Sequence, residues 1–301
     1  MAPPAPHRDR GGTVSSQRVL LVITADDLGI DPRRDEGIFA AHAAGAITQA
    51  SLMVGGPSAG EAARRAQGAG LTLGLHLDLS EMPPLAAKER IPTLLDGRGE
   101  KLGKHGLRLA LARGSVALGH VVLETEAQLD AFAALTGQCA RHVDGHQHIH
   151  CVPEVAGVLA PVFERRGVRS TRAPQPAAAR VADSDANRIY EKMCMDAAHA
   201  RAIYARFGVQ STHGFIGLDL VGAASDPGRL RELVTTHAFG TSVELVCHVG
   251  FMGVGGDDFN RSPDREGELR VLCARPFAPL VDRGVVELVN FDELFHAGGL
   301  C

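Results

Sequence analysis

Tryptophan is absent from this 301-residue chain and tyrosine occurs only twice, so aromatics amount to 4%. Platforms that stack single-stranded nucleic acid are rich in exposed rings, and with so few aromatics that class of function is not expected. Positive charge is not in excess either. The net charge of -4 leaves nothing to hold a polyanion or an anionic lipid surface. No apolar run approaches the ~18 residues of a membrane span; the first, Val19–Ile23, leads straight into Asp26 and Asp27. The six cysteines (Cys139, Cys151, Cys194, Cys247, Cys273, Cys301) include no Cys-x-x-Cys pair, so a reduced cytoplasmic protein is expected in place of a disulfide framework. Cys247 reads as buried strand filler in preference to a nucleophile. Residues 1–17 carry no apolar stretch of the kind a secretory signal needs and are expected to form a flexible leader to a single domain over 18–301.

What is present is an ordinary globular composition, 45% hydrophobic and 22% charged, punctuated by 35 glycines and 16 prolines. Short apolar, β-branched runs predict strands at Val19–Thr24, Ile47–Val54, Leu71–Leu79, Ala140–Gly145, Val168–Arg172, Gly214–Leu220, Ser242–Cys247 and Val285–Asn290. Segments of helical period lie between them: Arg33–Ala44, Ser58–Ala69, Glu124–Leu135, Pro153–Arg166, Asp185–Phe207, Pro227–Thr236 and Glu266–Arg283. Ser58 with Glu61 reads as a capping box, and Gly45, Gly137, Gly167 and Gly284 as left-handed helix stops. This alternation predicts an α/β fold: an irregular (β/α) barrel, TIM-barrel-like, with an open doubly wound sheet second. Ser80–Gly119, with Pro83, Pro84 and Pro92, is expected to be an inserted lid-like loop region, and Pro174–Ala182 a second loop.

The ends of the predicted strands carry the chemistry. Val19–Thr24 runs into Asp26-Asp27, Leu71–Leu75 into His76, Ala140–Val143 into Asp144 and a histidine-rich run, and Val243–Cys247 into His248. In a parallel barrel these ends share one face, where active sites are built. His142, Asp144, His146, His148 and His150 fall on alternate positions, which in an extended chain point one way. Adjacent carboxylates such as Asp26 and Asp27 repel unless a cation neutralises them. One carboxylate with two histidines leaves coordination positions open, the arrangement of a catalytic metal centre, and hydrolysis of an amide or ester follows. Spacing alone leaves open which of His146, His148 and His150 is the ligand. His248 is a candidate acid for a departing amine.

TADDLG (Thr24–Gly29), AITQASLMVGG (Ala46–Gly56), GLHLDLSE (Gly74–Glu81), HVDGHQHIH (His142–His150), VRSTRAP (Val168–Pro174) and ELVCHVGF (Glu244–Phe251) resemble, in order, the motifs of the YdjC-like carbohydrate deacetylases, the chitooligosaccharide deacetylase type. The resemblance implies an irregular (β/α) barrel that removes N-acetyl groups from N-acetylglucosamine-containing oligosaccharides with a divalent metal, usually magnesium. Position by position it makes Asp26 the proton acceptor, Asp27, His76 and His146 the metal ligands, His248 a histidine near the catalytic centre and Arg172 the holder of Asp26. An Asp-His-His set suits zinc, manganese, cobalt or iron at least as well as magnesium. Leu28 stands where phenylalanine is more usual and Val249 where many relatives have proline, departures that bear on pocket shape. The expected partner is a small acetylated sugar or oligosaccharide, with no nucleic acid and no membrane; a homodimer is kept open. Two other readings are a hydrolase of another amide or a phosphoester, with His148 and His150 supporting a second ion, and a non-catalytic barrel that only binds. Lys104, in the lid-like region, is a candidate contact for sugar hydroxyls or a phosphate.

Overall fold

A computed structural model describes residues 18–174, 185–217, 226–253 and 258–295; the expected leader (1–17) and most of the Pro174–Ala182 loop lie outside them. Eight strands form, one in each predicted place: β1 (Val19–Leu28), β2 (Gln49–Leu52), β3 (Leu73–Leu77), β4 (His142–Gly145), β5 (Ser170–Thr171), β6 (Gly214–Ile216), β7 (Ser242–Cys247) and β8 (Val286–Leu288). Every pairing is parallel, in the order β5-β4-β3-β2-β1-β7-β6. β1 is the axis of the sheet and is buried along nearly its whole length, as a strand covered on both faces must be. β7 takes one edge of β1, while the other is shared by β8 at Val19–Leu21 and β2 from Thr24 onward. The sheet curls until Ser170 of β5 bridges Gln210, just before β6. Among the described residues that single bridge stands where a regular TIM ring would have a ladder.

Helices cover the outside: α1 (Pro32–Ala43), α2 (Ala59–Ala69), α3 (Gly103–Ala112), α4 (Leu118–Thr136), α5 (Pro153–Arg166), α6 (Asp185–Ala205), α7 (Pro227–Thr235), α8 (Asp264–Cys273), α9 (Ala278–Asp282) and α10 (Phe291–Phe295). Asp31 caps α1 by accepting from the Arg33 amide at 2.8 Å, with Pro32 in the first turn. Ser58 precedes α2 as expected, but its side chain makes no cap bond, so the capping box is not formed. The single helix expected over Glu266–Arg283 is two, α8 and α9, interrupted at Arg275, which is left-handed with φ 52°.

The expected lid is more ordered than its proline content suggests. It contains two short 3-10 turns (Lys88–Arg90 and Pro92–Leu94), α3 and the start of α4, and a buried polar network pins it to the barrel. Lys101 Nζ donates to the Asp78 carbonyl at 2.8 Å and meets Asp78 Oδ2 and Glu124 Oε1, each at 3.0 Å. Lys101 is therefore the buried lysine of this region, while Lys104 is exposed. Leu28 and Val249, the two departures from the family pattern, are fully buried in the apolar core. Cys247 is buried too, and burial pushes its thiol well up, in keeping with strand filler. Among the described residues no helix is long and apolar enough to cross a membrane.

Candidate active site

Asp26 and Asp27 sit at the C-terminal end of β1. On a regular strand, neighbours point to opposite faces. Here the β1–β2 register shifts between Ala25 and Leu28, and Asp27 takes a left-handed φ of 67°. Such an irregularity re-aims side chains, and both carboxylates approach His76 Nε2, Asp26 Oδ2 at 3.9 Å and Asp27 Oδ1 at 3.4 Å. Asp26 accepts a paired bond from Arg172, Nη1 to Oδ2 and Nη2 to Oδ1, both 2.7 Å. Asp27 Oδ2 accepts from Arg34 Nη2 at 2.8 Å. Arg34 lies on α1, which meets the loop after β7 so closely that a Cβ on Gly37 would fall 2.4 Å from Gly250 Cα. Only glycine permits that approach.

Three atoms with lone pairs converge at the centre. Asp27 Oδ1 lies 3.1 Å from His146 Nδ1 and 3.4 Å from His76 Nε2, and the two nitrogens are 3.2 Å apart. Each ring has an acid on its other nitrogen: His76 Nδ1 lies 2.7 Å from Asp144 Oδ1, and His146 Nε2 lies 3.1 Å from Glu81 Oε2. A proton on each outer nitrogen satisfies those contacts and leaves the inner lone pairs facing Asp27, whose buried Oδ1 has no hydrogen-bond donor of its own. Ligands about 2.1 Å from one divalent ion stand roughly 3.0–3.4 Å apart, so this triangle fits a metal. The surroundings agree. Four buried carboxylates (Asp26, Asp27, Asp144, Glu244) face two buried arginines (Arg34, Arg172), an excess of negative charge that a divalent cation would offset.

Without a metal, protons fill the same need. Burial opposes charge on His76, but Asp26 and Asp144 overcome it and raise the imidazole to about 9. His146 is likewise raised despite burial, by Asp27 and Glu81. Burial would raise Asp27, yet the two imidazoles and Arg34 hold it well below the carboxylate range.

His248 follows β7, its Nε2 3.9 Å from Asp26 Oδ2 and its amide donating to Glu268 at 2.7 Å. Burial lowers its imidazole to about 4, against the pull of Asp27 and Asp26, so it is uncharged at neutral pH. His148 and His150 do not join the cluster. Gln147 and His148 both have φ of 55°, which breaks the expected one-sided row just after β4. His148 turns edge-on to the Phe215 ring, 5.9 Å between centroids, and His150 Nε2 donates to the Arg172 carbonyl at 2.9 Å. Among the described residues neither belongs to a group of three that could hold an ion, so the second-ion reading loses its ligands.

Four residues outside the expected set complete the arrangement. Asp144 bonds His76, takes Ser51 Oγ at 2.6 Å and meets Arg172 at 3.0 Å. Glu244 accepts Arg172 Nε at 2.9 Å. Arg34 holds Asp27, and Glu81 holds His146. Asp144 was visible as an acid at a strand end; Glu244 lies mid-strand in β7, and Arg34 and Glu81 lie on a helix and a loop, positions that give no such cue.

The sequence profile of the YdjC-like protein family matches residues 20–283. The chain belongs to that family. It is 38% identical to a mouse carbohydrate deacetylase over 92% of this chain and 95% of the relative. It is also 33% identical to a Serratia marcescens chitooligosaccharide deacetylase, over 50% of this chain and 57% of that protein. Among solved structures, a protein from Enterococcus faecalis provisionally described as a cellobiose-phosphate cleavage protein superposes with a TM-score of 0.68 at 22% identity, covering 92% of this chain and 99% of that one. That likeness extends the YdjC-like chain's curled parallel sheet to a solved fold.

Proposed function

We propose that this YdjC-like chain is a metal-dependent hydrolase that removes N-acetyl groups from N-acetylglucosamine-containing oligosaccharides and releases acetate. The observation that carries the reading is the meeting of Asp27 Oδ1, His76 Nε2 and His146 Nδ1 within 3.4 Å of one another, each with its other side already committed. The names of the mouse and Serratia relatives supply the substrate class. Asp27, His76 and His146 would hold a divalent cation, which when bound supplies Lewis acidity toward the acetyl carbonyl and toward water. Two nitrogens and one carboxylate favour a transition ion over magnesium, which prefers an all-oxygen shell.

Asp26 is the proton acceptor. Arg172 fixes both of its oxygens, which keep spare lone pairs for the attacking water. The water oxygen bonds to the acetyl carbon as its proton passes to Asp26. His248, with Nε2 3.9 Å from Asp26 Oδ2 and so beyond a direct hydrogen bond, would take that proton through one intervening water and deliver it to the nitrogen as the C–N bond breaks. In this role His248 relays a proton between the base and the leaving nitrogen. Burial of Asp26, His76 and Arg172 strengthens the charge interactions among them.

The test is acetate release from di-N-acetylchitobiose and a panel of other acetylated sugars, before and after chelation. Acetate should appear with the metal-loaded protein, vanish with chelator and return with zinc, cobalt or manganese. A complete absence of acetate across the panel would overturn the reading.

A further inference from the structure

The turn that carries His146 is strained, and the inserted region holds it in place. Gln147 and His148 are consecutive non-glycine residues in the left-handed region, both with φ of 55°, a conformation that persists only where surrounding contacts impose it. The contacts on Gln147 come from one direction. Arg108, on α3, donates Nη2 to the Gln147 carbonyl at 2.6 Å. Ser80 Oγ donates to Gln147 Oε1 at 3.3 Å, and Gln147 Nε2 donates to Glu81 Oε1. The other oxygen of Glu81 lies 3.1 Å from His146 Nε2. Glu81 is aimed in turn by Asp78, whose carboxylate accepts from the Ser80, Glu81 and Met82 amides at 2.9, 3.0 and 2.7 Å. Asp78 is itself clamped by Lys101.

We propose that Glu81 is a positioning residue for the metal centre: through His146 Nε2 it fixes the ring orientation and the tautomer that turns Nδ1 toward Asp27. The inserted region thus acts as a brace for the second histidine ligand. Asp144 does the same for His76 from within the sheet at 2.7 Å, so each histidine has its own carboxylate, one from the barrel and one from the insertion. Outer carboxylates of this kind typically change metal affinity by about 10–100-fold when removed. Gln147, bonded to the other oxygen of Glu81, couples the strained turn to the same side chain. The inference rests on the metal reading given under Proposed function.

The experiment titrates metal-free wild type, Glu81→Gln, Glu81→Ala and His146→Ala with zinc alone, in competition with a chromophoric chelator, and records cobalt absorption spectra of the same proteins. Glu81→Ala should bind zinc about 10–100-fold more weakly than wild type and show an altered cobalt spectrum. Glu81→Gln, which keeps an acceptor for the ring N–H but loses the charge, should fall between them. The metal-free variants should keep the wild-type circular dichroism spectrum, and a cobalt spectrum altered in folded Glu81→Ala separates positioning from a general structural role, which would leave the ligand field unmoved. Wild-type zinc affinity and an unchanged cobalt spectrum in Glu81→Ala, with His146→Ala impaired, would overturn the role of Glu81 alone. Wild-type affinity in His146→Ala as well would overturn the metal reading and this inference with it.

Discussion

A one-residue irregularity gives two adjacent aspartates different partners. Asp26 faces Arg172 with both oxygens, while Asp27, past the shift in register, divides its oxygens between Arg34 and the two imidazoles. If Asp26 is the base and Asp27 the ligand, replacing one should leave the other's work intact. Asp26→Asn should lower kcat for acetate release by about 100-fold or more while zinc affinity stays near wild type. Turnover at the wild-type rate would move the base elsewhere. The sequence alone named the doublet as a cation site, and the family resemblance divided it. It could not show how both side chains reach one site, because that depends on a bulge formed only when β1 pairs with β2. The histidine run failed for a related reason: alternation holds as far as Gly145, and the left-handed pair beyond it sends His148 to Phe215 and His150 to Arg172.

At the scale of elements, all eight strands were legible, because the buried central strands β1 and β7 are written as apolar, β-branched stretches and the shorter ones fall between segments of helical period. The insertion was not. Its prolines and glycines read as a loop, and what orders it is a buried ion cluster whose members, Asp78, Lys101 and Glu124, are far apart in sequence. Burial alone would push the Asp78 carboxyl up, yet Lys101, with His146 and the Ser80 amide, brings it down to about 2. With an ordinary value of 3.8 in the unfolded chain, Asp78 contributes stability that is complete above that pH and is lost as pH falls toward 2. Lys101→Met strands two buried carboxylates, at a cost of about 3–5 kcal/mol at neutral pH. Protonation relieves such unpaired acids, so the gap between variant and wild type should narrow as pH drops from 7 to 4. Urea unfolding at several pH values measures it; a gap independent of pH would show that lost packing, and not the ion cluster, sets the cost.

At the scale of the molecule, the proposed ligands come from β1, β3 and the turn after β4, and Arg172 follows β5. The curled sheet is ladder-bonded around β1 but, among the described residues, is held at its seam by the single Ser170–Gln210 bridge. A cation shared by Asp27, His76 and His146 would tie β1 to the β3–β4 side of the sheet without passing through β2, and no unfolded chain holds those three groups together. Metal binding is therefore also folding energy. At a free concentration 1,000 times the dissociation constant the gain is about 4.1 kcal/mol. Wild type should melt several degrees higher in excess zinc than in chelator, by calorimetry or circular dichroism, and His146→Ala should lose most of that difference. Asp26→Asn, with its proton acceptor gone but the three ligands kept, should retain it. If all three proteins melted at the same temperature with and without zinc, the strands would be held by packing alone and the cation would have no part in joining them.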